Sequence, residues 1–103
     1  MKFQLVLQFP GSSVQEFDKL VDLENEMARR LNGLGDVDGH DFGSQEMNIF
    51  IMTDEPIKAF EITKNIPELN QLLGKMRAAY RAVDNDMYTF VWPERATGDF
   101  LIK

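Results

Sequence analysis

Residues 3–9, FQLVLQF, alternate: Phe3, Leu5, Leu7 and Phe9 share one side, Gln4, Val6 and Gln8 the other. Period two predicts a half-buried strand, ended by Pro10-Gly11. The period then changes. Phe17, Leu20, Val21, Met27, Ala28 and Leu31 follow helical spacing, with Glu16, Asp18, Lys19, Asp22, Glu26, Arg29 and Arg30 opposite. Ser13-Val14-Gln15-Glu16 reads as a capping box at the start of this helix. Gly33 is a natural stop after the two arginines. Residues 36–53 read as a hairpin with a polar first arm, DVDGHDFG, a turn at Gly43-Ser44-Gln45, and an apolar second arm, EMNIFIMT. Thr53 or Asp54 is placed to cap a helix over 55–64, with Pro56 in its first turn. Pro67 interrupts it, and Asn65 is placed to cap a second helical segment. Its stripe is Leu69, Leu72, Leu73, Met76, Ala79, Tyr80 and Val83. After the turn Asp84-Asn85-Asp86, residues 87–92 (MYTFVW) have high strand propensity, and Pro93 ends them. Phe100 to Ile102 is a candidate short strand.

The resulting order is β-α-β-β-α-β. Right-handed crossovers and helices on one face of an antiparallel sheet make this an α+β domain of the ferredoxin-like, split βαβ type. One domain spans residues 1–103, with its second helix broken near Pro67. The fold hosts many unrelated functions and says little about activity.

Composition narrows the chemistry. The chain has no cysteine, which removes disulfides, zinc–thiolate sites, iron–sulfur clusters and thiol catalysis. No apolar run is long enough to span a bilayer, and the first residues alternate in polarity, unlike a signal peptide. A cytoplasmic location is the expectation. Net charge is −6, a field that disfavours nucleic acid and anionic lipid.

The charge is concentrated. Asp36, Asp38, Asp41, Glu46, Asp54 and Glu55 fall between residues 36 and 55, where no lysine or arginine occurs. The only histidine, His40, sits among them. These residues form a candidate interaction surface, since acidic patches steer basic partners. Asp36, Asp38 and His40 invite a metal reading, but the calcium-loop pattern fails: counting from Asp36, it would need glycine at Asp41 and a bidentate glutamate at Met47. An extended strand also spaces Asp36, Asp38 and His40 at roughly 6.7 Å, too far apart to converge without a bulge, which Gly39 would permit. No metal or other cofactor is expected. With a two-residue turn at Ser44-Gln45, Phe42 faces Met47, His40 faces Ile49 and Asp38 faces Ile51. Asp41 then faces Asn48, Gly39 faces Phe50 and Val37 faces Met52. A one-residue slip reverses both sets.

Tyr88, Phe90 and Trp92 are expected on one face of the last strand. No RNA-binding consensus accompanies them, so they read as core or as a homodimer face covering a helix-free side of the sheet. Arg77 and Arg81 share a face of the second helical stretch, with Lys75 and Lys64 nearby. Two function classes follow. The first is a non-enzymatic module presenting the acidic hairpin to a basic protein partner. In charge and size it resembles small acidic proteins that neutralise toxins or act as regulators. The alternative is a small-ligand- or metal-dependent enzyme of the dimeric α+β kind, with His40 as base or ligand and Asp38 or Asp41 as its orienting carboxylate. A regulatory ligand-binding domain is a third option.

Overall fold

A computed structural model describes residues 2–11, 14–42, 45–94, 98, 100 and 102. The elements are β1 (Phe3–Pro10), α1 (Val14–Leu31), β2 (Gly35–Phe42), β3 (Glu46–Thr53), α2 (Pro56–Lys64), α3 (Pro67–Asn70), β4 (Arg77–Ala82) and β5 (Thr89–Trp92). All five strands join one antiparallel sheet in the order β2-β3-β1-β4-β5. The protein is α+β. No helix among the described residues is long and apolar enough to cross a membrane.

β1 is the centre of the sheet, and its alternation explains why. Leu5, Leu7 and Phe9 join Met47, Ile49, Ile51 and Ala78 on one face. Leu20, Leu23, Met27 and Leu31 of α1 and Ala59 and Phe60 of α2 pack onto that same face. Burial of each such leucine contributes about 1.5–3 kcal/mol. The positions between them, Val6 and Gln8, are buried on the opposite face.

The helix expected over residues 65–83 is corrected. Helical backbone ends with α3 at Asn70, turns at Leu72, Leu73 and Lys75 follow, and 77–82 is β4. The stripe Met76, Ala79, Tyr80, Val83 fits helical spacing, but Ala78 and Tyr80 also alternate against Arg77, Ala79 and Arg81. The free edge of β1 decides between the two. A central strand has backbone groups on both sides to satisfy, and β4 takes the side that β3 leaves open. Gly74 lies just before the change. The strand expected at 87–92 is therefore the fifth, observed over 89–92. Phe100 and Ile102 lie outside any strand, and Leu101 is outside the described residues.

Local details also differ. Glu55 is the N-cap of α2 without a side-chain cap bond. The Thr53 hydroxyl instead accepts from the Glu55 amide at 3.0 Å and donates to the Leu34 carbonyl at 2.8 Å. Asp54 accepts from the Lys2 amide at 2.8 Å. Asn65 donates back to the Glu61 carbonyl at 3.0 Å, closing α2 rather than opening α3, whose N-cap is Ile66. Gly33 follows α1 with φ +84°, as its position after the helix requires. Ser13 of the expected capping box and Gly43 and Ser44 of the hairpin turn lie outside the described residues.

Candidate interaction surface

β2 is an edge strand. Its pairing with β3 begins in the expected register: Phe42 with Met47, Asp41 with Asn48, His40 with Ile49 and Gly39 with Phe50. A bulge then falls between Val37 and Gly39, so that Val37 pairs with Ile51 and Asp36 with Met52. The expected pairings of Asp38 with Ile51 and Val37 with Met52 are corrected. Gly39 has φ +145°, a conformation that L side chains rarely adopt and glycine adopts freely. The bulge leaves Asp38 outside the ladder and turns Val37, rather than a carboxylate, onto the main core.

Asp36, Asp38 and Asp41 are all exposed. Among the described residues, none of the three carboxylates has a lysine or arginine within ion-pair distance. The arginines of α1 are engaged elsewhere. Arg29 pairs with Glu26, and Arg30 Nε donates to Glu26 Oε1 at 2.7 Å. The hydrogen bond from Arg30 holds the Glu26 carboxyl below its ordinary value; desolvation opposes it, and the charge and hydrogen bond of Arg29 add to the lowering.

His40 is not paired with Asp38 or Asp41. Its Nδ1 donates to Glu24 Oε1 at 2.6 Å, joining β2 to α1. The His40 side chain is 31% exposed and that of Glu24 13%. They border an open recess with Val21, Asn25, Ala28 and Val37. Asp41 belongs to the other face of the strand, beside Asn48. The expected pair of His40 with Asp38 or Asp41 is thus not formed, and no group of three or more metal-ligating side chains occurs among the described residues. Glu24 was missed in the sequence because helix periodicity alone does not say which polar residue of α1 meets β2. The other expected surface residues divide. Glu55 is exposed, Asp54 is exposed but tied to the Lys2 amide, and half-buried Glu46 accepts from Gln8 Nε2 at 3.5 Å.

Glu46 belongs to a polar arrangement on the helix-free face. Register aligns Arg77, Gln8, Asn48 and Asp41 across β4, β1, β3 and β2. Arginine can only donate, so the Arg77–Gln8 hydrogen bond fixes Gln8 Oε1 as acceptor. Gln8 Nε2 then donates to Asn48 Oδ1 at 3.1 Å. That leaves Asn48 Nδ2, fully buried, as a donor without a partner among the described residues. A second row aligns Arg81, Gln4, Met52 and Asp36. Arg81 Nε donates to Gln4 at 3.2 Å, and Arg81 Nη1 reaches the carbonyls of Ala82, Val83 and Asn85, each at 3.2 Å. Arg77 and Arg81 share a face as expected, but of a strand. Each row runs from a cation on β4 to a carboxylate on β2.

Between the rows lie Ala79, Val6 and Phe50, with Phe90 of β5 beside them. Tyr88, Phe90 and Trp92 do not share one face. A register shift at Ala78/Ala79 pairs Phe90 with Ala79 but Trp92 with Ala78, on opposite sides of the sheet. Trp92 packs 6.1 Å from the Phe60 ring, lies under Lys64 and donates from Nε1 to the Leu73 carbonyl at 2.7 Å. Tyr88 and Phe90 face Phe100, at 5.0 and 5.6 Å between ring centroids. Phe100 is 5% exposed and lies on Val6 and Ala79, so the chain's own residue covers part of the ladder expected at a dimer face.

Comparison of the chain with protein-family models, with curated proteins and with solved structures returns no match.

Proposed function

We propose that this protein is a non-enzymatic interaction module in which the β2 edge, with Asp36, Asp38 and Asp41, receives a basic segment of a protein partner. One observation carries the reading: three exposed carboxylates on an edge strand have no cation among the described residues within ion-pair distance. The arginines nearest in sequence serve Glu26 instead. An edge strand offers unpaired backbone groups for an added strand, and carboxylates along it select lysine and arginine. The Asp38 bulge hinders indiscriminate edge pairing, so a partner must match an irregular edge. The order β2-β3-β1-β4 of the first four strands supports reading the scaffold as ferredoxin-like with β5 appended.

The test uses a short lysine-rich peptide as probe, titrated at low and high ionic strength. The wild type binds, and added salt weakens binding as screening predicts. An Asp36→Asn/Asp38→Asn/Asp41→Asn variant binds at least tenfold more weakly. An Asp84→Asn/Asp86→Asn control, on the β4–β5 turn, binds like the wild type. Equal affinity of the triple variant and the wild type overturns the proposal.

A further inference from the structure

A cavity of about 210 Å³ opens at one end of the main core, where β1, β3, α1 and the segment between α3 and β4 meet. Phe9, Leu20, Leu23, Met47 and Leu72 supply apolar walls. Lys19 and Lys75, both exposed, complete the lining together with Pro10. These lysines lie far apart in sequence, and the fold brings them to one opening. Among the described residues, neither is in an ion pair, although acids outnumber bases 17 to 11 in the chain. We propose that this cavity binds a small monocarboxylate with an apolar body, its carboxylate held between Lys19 and Lys75.

The size and the chemistry agree. At about 30 Å³ for each water of liquid, the space holds about seven waters, or a ligand of roughly seven to ten non-hydrogen atoms. Apolar walls with a few convergent polar groups are the usual make-up of a ligand site. Two ammonium groups disfavour a cation, and the apolar walls give a bare inorganic anion nothing to bury. An adjoining recess shares Lys19, Leu23 and Leu72 and adds Asp22, Glu26 and Gln71. Glu26 is neutralised by Arg29 and Arg30, so the Asp22 carboxylate is the one that repels an anionic head group and biases the ligand head toward Lys75.

Octanoate is the probe, with 1-octanol and octylamine as neutral and cationic counterparts. Octanoate raises the melting temperature with concentration and shifts the amide resonances of Phe9, Met47 and Leu72, since a ligand of the folded state must stabilise it. 1-Octanol gives a smaller rise and octylamine none. A Lys19→Gln/Lys75→Gln variant, altered only at exposed side chains, binds octanoate roughly tenfold or more weakly, the loss expected for charge-assisted contacts. Its response to 1-octanol is unchanged. Leu72→Trp, which fills the cavity, removes the response to both. The proposal is overturned if millimolar octanoate moves neither melting temperature nor resonances, or if the lysine variant binds it as well as the wild type. The lysine-rich peptide engages different residues, so either proposal can fail alone.

Discussion

Gly39 shows how much one residue controls. Nothing lies within 4 Å of a Cβ built there, so alanine meets no clash, only the conformational penalty of φ +145°. Gly39→Ala is expected to cost about 1–3 kcal/mol in urea unfolding. Gly74→Ala, equally open but without positive φ, should be close to neutral. Gln8 is the second sensitive point, because its amide relays the direction of hydrogen bonding from Arg77 to Asn48. Gln8→Leu leaves buried Asn48 with neither end satisfied and is expected to destabilise by about 1–3 kcal/mol. Glu26 supplies the pH dependence at this scale. Its carboxyl is held below the ordinary value of 4.5. A depressed carboxylate stabilises the fold fully above that value, and the contribution fades as pH falls through the folded value. Carboxyl NMR should show Glu26 titrating below 4.5, and an Arg30→Gln variant should bring it back upward.

At the level of elements, β1, α1, the hairpin and α2 were legible from periodicity and turn residues, although β1, expected to be half-buried, is buried on both faces from Leu5 to Phe9. β4 was not. Its residues satisfy both a helical stripe and an alternating one, and only the unpaired side of β1, a tertiary fact, selects the strand. The split of Trp92 from Phe90 was equally hidden, since it arises from a register shift made by β4 and β5 together. Of the candidate surface, the acidic positions were readable from charge alone. The Glu24 partner of His40 and the lysine-lined cavity join residues distant in sequence, which no local pattern reveals. The pairing scheme predicts hydrogen exchange. Amides of Leu5 to Gln8, inside a strand flanked on both sides, should exchange most slowly, and those of β2 and β5 faster. Deleting Asp38 should leave a regular ladder with Val37 still opposite Ile51 and His40 opposite Ile49. NOE contacts between β2 and β3 in that variant check the expectation.

Across the whole molecule, charge is sorted by strand position, with the arginines of β4 on one side of β1 and the acids of β2 on the other. Mutual repulsion among Asp36, Asp38 and Asp41 is tolerated rather than neutralised. The asparagine triple variant should therefore melt a few degrees higher than the wild type at low ionic strength. The difference should vanish in high salt, where the Debye length falls to about 3 Å at 1 M. The helix-free face has another kind of economy. Phe100 acts as a stopper, seated on Val6 and Ala79 with Tyr88, Phe90 and the Arg77 guanidinium around it. Pulling it out, by Phe100→Ser, should bare a sticky strip at the middle of the sheet and make a well-behaved solution turn associating, with light scattering rising as protein concentration increases.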